Sequence, residues 1–116
     1  MTFDTKVSFN AAALREKFAK KIHRAQMKLD VQIVNDSNYY CPKLNNILQP
    51  SAVKDTVAGS GKVRWTVDYA RRQYYGEHFD HSKSRNPNAT AKWFESAKAR
   101  KVKQWEKLVE DEIRHS

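Results

Sequence analysis

The chain of 116 residues contains one cysteine, Cys41, so no internal disulfide can form and a Cys-x-x-Cys metal knuckle is excluded. A lone thiol suits synthesis in a reducing cytoplasm. No apolar run approaches the roughly 20 residues needed to cross a bilayer. Met1 to Thr5 lacks the basic-then-apolar order of a secretion signal, so a soluble protein away from membranes is expected. Catalytic pairings are also missing. Nothing in the sequence couples Cys41 or a serine to an activating base, and Cys41 beside Pro42 reads as an inert thiol. Glu110-Asp111-Glu112 reads as the wet end of a helix, not a pair of acid–base carboxylates. Gly59-Ser60-Gly61 lacks the lysine and following hydroxyl of a phosphate loop and reads as a turn. No enzyme, cofactor, metal or small-molecule substrate is expected.

What is present is charge. Lys and Arg number 22 against 13 Asp and Glu, a formal net charge of +9. That balance allows nucleic-acid contact, acidic protein partners or plain solubility. The length predicts one domain over residues 1–116, with a small core.

Ala11, Leu14, Phe18, Ile22, Ala25, Leu29 and Ile33 recur at helical intervals. At about 100° per residue they share one narrow face. Ser8 or Asn10 can cap this helix, and the turn formers Asn35-Asp36-Ser37-Asn38 predict its end near Val34. Tyr39 to Pro42 reads as extended, and Lys43 to Gln49 as a helical turn stopped by Pro50. Ala52 to Ala58 and Lys62 to Val67 flank the glycine turn, which predicts a hairpin. Val63, Trp65 and Val67 alternate with Lys62, Arg64 and Thr66, giving one buried and one wet face. Thr90 can cap a last helix whose broad apolar face holds Phe94, Ala97, Val102, Trp105, Leu108, Val109 and Ile113. The expected fold class is α+β: a long N-terminal helix and a C-terminal helix packed on a small antiparallel β-sheet. Leu14, Phe18, Ile22, Leu29, Val63, Trp65, Val67 and Trp105 are its expected core.

The densest cluster of contact-type residues is the run Val67 to Gly76, with three tyrosines and two arginines. Tyr and Arg supply large rigid area and directional hydrogen bonds at protein contacts. The run reads as a short helix with Gly76 as its C-terminal stop. Tyr69 continues the alternation of Val63, Trp65 and Val67 and is expected in the core. Tyr74 and Tyr75 are adjacent, so they point in different directions and at least one is at a surface. Arg71 and Arg72 are expected outside, since paired burial of both in a small core is costly. Glu77 to Ala89 has no apolar period and reads as an exposed loop, in which His78 and His81 match no metal-ligand spacing.

Two of these segments resemble a known family. Tyr69-Ala70-Arg71-Arg72-Gln73-Tyr74-Tyr75-Gly76 and Trp93-Phe94-Glu95-Ser96-Ala97-Lys98 are similar to runs in phage minor capsid proteins of the head–tail joining (neck or tail-completion) group, from long-tailed phages of Gram-positive bacteria. The family's Pro-x-Asp-Thr-Gly-x-Leu-x-x-Ser turn is matched at Pro42, Leu48 and Ser51. Leu44-Asn45-Asn46 stands in place of Asp-Thr-Gly, and Asp68 stands in place of a proline. The resemblance implies a structural virion protein of the neck or upper tail, made in the host bacterial cytoplasm. It implies copies in a ring around the DNA channel, six-fold being favoured. Neck stopper or adaptor proteins and a tail terminator would be neighbours, with no reaction catalysed. Tyr69, Arg71, Arg72, Tyr74, Tyr75, His78 and His81 are the candidate partner-binding residues.

The alternative is a small basic nucleic-acid-binding protein. Arg100, Lys101, Lys103 and Lys107 would contact phosphates, with Trp93 and Trp105 stacking on bases. That requires exposed tryptophans. Trp105 lies at the centre of the apolar arc and is expected in the core; Trp93 lies at its edge, where either placement fits.

Overall fold

A computed structural model describes residues 1–7, 19–42, 47–76 and 88–115. The order is β1 (Thr2–Asp4), α1 (Ala19–Asn38), α2 (Leu48–Asp55), β2 (Lys62–Arg64), α3 (Ala70–Tyr75) and α4 (Trp93–His115). The class is α+β, as expected, but a strand precedes the long helix. Ser8, Asn10, Leu14 and Phe18 lie outside the described residues.

α1 and α4 run antiparallel along one another, since Lys28 reaches Glu112 while Asp36 reaches Trp105. Leu29 and Ile33 of α1 join Phe94, Ala97 and Trp105 of α4 in one buried cluster, and Ala25 is fully buried one turn before Leu29. Among the described residues of these faces, Ala25, Leu29, Ile33, Phe94, Ala97 and Trp105 are buried, while Val102, Leu108, Val109 and Ile113 are half-buried. Ile22 and Val67, assigned to the core, are only half-buried.

Three expectations need correction. First, α1 does not stop at Val34; it continues through the four turn formers to Asn38. Such side chains break helices by competing for nearby backbone groups. Here two of the four are engaged elsewhere. Asp36 accepts the Trp105 indole N–H at 2.7 Å, and Asn38 accepts that of Trp65 at 3.0 Å. Asn38 Nδ2 also donates to the carbonyl of Gln49 at 3.1 Å.

Second, no hairpin joins residues 52–58 to β2. Residues Leu48–Asp55 are helical, with Leu48, Ser51 and Ala52 buried on one side. Pro50 lies in the first turn of α2, where its missing N–H has no helical partner to lose. β2 pairs instead with β1, antiparallel, with Phe3 opposite Val63 and Asp4 opposite Lys62. Phe3 enters the core between Trp65 and Phe94, at ring-centroid distances of 5.8 and 4.5 Å. A three-residue strand is too short to announce itself by alternation, which is why it escaped the sequence reading.

Third, Thr90 does not cap α4. Its hydroxyl donates to the carbonyl of Ala91 at 2.7 Å. Lys92, at φ 50°, precedes the helix, and its carbonyl accepts the Ser96 amide at 2.9 Å.

Gly59-Ser60-Gly61 is a turn, as read, but it connects α2 to β2. Gly59 and Gly61 have φ of 94° and 79°, a region that penalises any side chain. Both amides donate to Oδ2 of Asp30, at 3.0 and 3.1 Å. Asp30 Oδ1 accepts the Thr5 hydroxyl at 2.5 Å and the Gln26 amide at 2.8 Å. A fully buried carboxylate thus ties α1, the turn and the segment after β1 together through neutral donors. Each bond satisfies a group whose desolvation would otherwise cost free energy.

Candidate docking surface on α3

α3 is short, and its placement comes from its inner face. Ala70 and Tyr74, one turn apart, are both buried. The Tyr74 ring packs edge-on to Trp93 at 4.7 Å and lies 5.1 Å from Phe3. Its carbonyl accepts the Lys92 amide at 2.8 Å, which couples α3 to the start of α4. The hydroxyl of Tyr74 and the indole N–H of Trp93 are buried with no hydrogen-bond partner. Tyr69 is the N-cap residue and packs half-buried against the core. Gly76 ends the helix at φ −85°, so it stops α3 without using the left-handed region.

Arg71, Arg72 and Tyr75 form the outer face. All three are exposed, Tyr75 with 57% of its surface accessible. The adjacent tyrosines divide as expected, Tyr74 inward and Tyr75 outward, their rings 5.1 Å apart. The structure therefore brings Arg71, Arg72 and Tyr75 together on one surface and sets Tyr69 and Tyr74 beneath them. His78 and His81 lie outside the described residues.

Burial answers the competing readings. Trp93 is fully buried and Trp105 is 5% exposed, so neither can stack on a base. That overturns the nucleic-acid surface drawn on α4. Cys41 is fully buried, and burial pushes its thiol far above the ordinary range, which disfavours the nucleophilic thiolate. Among the described residues no group of three His, Cys, Asp or Glu side chains could hold a metal ion.

A second surface was not anticipated. Met27 and Val31 on α1, and Val53 with Val57 at and beyond the end of α2, are exposed aliphatic side chains. Val31, Val34, Ala52, Val53 and Ala58 line a shallow cleft between these helices. The signal was the i, i+4 spacing of Met27 with Val31 on α1, off the face that carries the core.

A family model described as minor capsid protein matches residues 5–112. The chain belongs to this minor capsid protein family. No curated protein and no solved structure matches the chain significantly. Membership makes this minor capsid protein a structural component of a phage virion that interacts with other virion proteins. No helix among the described residues is long and apolar enough to cross a membrane. The outer face of α3 and the aliphatic surface of α1 and α2 are thus open surfaces on a subunit of an assembly.

Proposed function

We propose that this minor capsid protein is a neck component. In this reading it joins the DNA-filled head to the tail, forms a ring of copies around the DNA channel, and catalyses no reaction. The observation that carries it is the division of the run Tyr69 to Gly76. Tyr74 and Ala70 anchor α3 in the core while Arg71, Arg72 and Tyr75 face outward. A rigidly held helix displaying Arg and Tyr is what a protein contact centre uses. That run, with Trp93 to Lys98, also carries the resemblance to the head–tail joining group.

A closed ring needs heterologous contacts, in which one patch of a subunit meets a different patch of the next. The chain offers two separate open surfaces: the polar, aromatic face of α3 and the aliphatic face around Val31 and Val53. Exposed aliphatic residues grouped in this way are a feature of surfaces that become covered. We assign α3 to a stopper, adaptor or tail-terminator neighbour and the aliphatic face to the next copy.

Gold labelling of a tagged chain in intact virions tests the location. Label at the head–tail joint, with a ring-sized mass for the purified protein in solution, is the expected result. Label spread over the head shell, or a protein that stays monomeric at high concentration, would overturn the neck assignment.

A further inference from the structure

We propose that the outer side of α1 around Lys20, His23 and Arg24, with Lys6, Lys62 and Arg64, is a contact surface for the phosphate backbone of duplex DNA. From Ala19 to Asn35, α1 contains one acidic residue, Asp30, and it is fully buried. The exposed side of this stretch is therefore of single sign. Lys28, further along, is matched by Glu112 at 2.6 Å; among the described residues α1 places no exposed carboxylate beside Lys20 and Arg24. α4 is different: its exposed Lys98, Lys103 and Lys107 are interleaved with exposed Glu95, Glu106 and Glu110. Basic charge on α4 is thus offset locally, and that on α1 is not.

The tertiary fold enlarges the α1 cluster. The 59–61 turn brings the N-terminal segment against α1. A Cβ on Gly61 would lie 3.1 Å from Lys6, and one on Gly59 would lie 2.8 Å from the His23 ring. Lys6, His23, Gly59 and Ser60 line a depression of about 300 Å³. Lys62 and Arg64 leave the same turn on the exposed side of β2. Asp4 lies opposite Lys62 in the strand register, and one of its oxygens accepts the Lys6 amide. Asp55, which accepts the Thr66 hydroxyl, is a second carboxylate near Arg64 at the edge of these six basic side chains.

Like charges so grouped repel one another, and a polyanion relieves that repulsion. Lys20 and Arg24 are one turn apart, about 6 Å along the axis. Duplex DNA carries a charge about every 1.7 Å of its axis, so successive turns of a helix laid on it meet phosphates. An acidic protein fits less well. Protein contact centres use aromatic or aliphatic anchors, and the exposed side chains of this cluster are mainly Lys and Arg, with half-buried Val7 and Ile22 also lining the depression. The exposed Met27 borders the cluster at Gly59, where a Cβ would lie 2.9 Å from its Cγ. Contacts of this kind position a protein on the duplex without reading its sequence.

This inference rests on the virion reading only in that a phage particle contains DNA. Fluorescence anisotropy with a mixed-sequence duplex, titrated between about 50 and 200 mM salt, tests it. Log affinity is expected to fall linearly with log salt, with a slope of about −3.6 for about four phosphates neutralised. Lys20→Gln/Arg24→Gln/Lys62→Gln should make the slope shallower by about 2.7, at about 0.9 for each contact. Lys98→Gln/Lys103→Gln/Lys107→Gln removes the same charge from α4 and should leave the slope nearly unchanged. Equal losses in the two triple variants would overturn the assignment, as would absence of binding by the unaltered protein. Polyglutamate competing as well as DNA would overturn the choice of nucleic acid. None of these outcomes bears on the neck reading, which fails or stands on the position of the label in virions.

Discussion

Asp30 accepts the backbone amide of Gly61 at 3.1 Å in the protein interior, with no cation among its hydrogen-bonding partners. Three further donors, from Gly59, Thr5 and Gln26, complete its shell. The carboxylate is the hub on which the turn, α1 and the segment after β1 are fastened.

Asp30→Ala should accordingly be among the most destabilising single changes. It orphans the two glycine amides together with the Thr5 hydroxyl and Gln26. An unmet buried donor costs about 1–3 kcal/mol, so a total loss of at least about 3 kcal/mol is expected. Denaturant unfolding measures it. A midpoint within error of the parent protein would show that the turn is not held by this group.

Tyr74 separates shape from polarity. Its ring is fully buried and its hydroxyl has no partner. Tyr74→Phe should be neutral or slightly stabilising, because an unpaired buried hydroxyl gains nothing for the fold. Tyr74→Ala should cost about 3–5 kcal/mol by opening a cavity beside Phe3 and Trp93. Thermal melts of the two variants should diverge widely; a large loss in Tyr74→Phe would mean that the hydroxyl is paired.

Cys41 should resist alkylation. Burial favours its neutral thiol, so iodoacetamide at mildly alkaline pH should modify the native chain far more slowly than the unfolded one. The sign of the linked stability follows. The folded-state pKa is raised, so this contribution is complete below the ordinary thiol range. It declines as pH climbs from there toward the raised value. Cys41→Ala should remove that alkaline decline from denaturation midpoints taken as a function of pH.

Arg71→Ala/Arg72→Ala should leave folding intact and abolish docking. Both side chains are exposed, so the melting temperature should move little. Incorporation into virions, followed by immunoblotting of purified particles, should fall sharply. Normal incorporation with a normal melt would show that α3 is not the docking face.

Much of this arrangement was legible in the chain alone. The 3.6-residue periods of α1 and α4 select the face each buries, because a helix in a small protein must hide one stripe. The segregation of Tyr74 from Tyr75 follows from adjacency alone, since neighbouring helical residues cannot share a face. The family likeness also rests on linear runs, Tyr69 to Gly76 and Trp93 to Lys98, and the match over residues 5–112 agrees with it.

Tertiary contacts settled the remainder. β2 takes Thr2–Asp4 as its partner instead of residues 52–58: Phe3 reaches the Trp65–Phe94 cluster, while residues 52–55 continue a helix that buries Leu48, Ser51 and Ala52. α1 outlasts four turn formers because Trp105 and Trp65, distant in sequence, supply donors for Asp36 and Asn38. Trp93 and Trp105 are needed inside, which removes the stacking groups from α4, and the 59–61 turn brings Lys6 and His23 to one place. In each case the sequence determined what a segment can do by itself, through periodicity and side-chain type. Which partner satisfied its polar groups was a long-range choice, made only when the chain closed on itself.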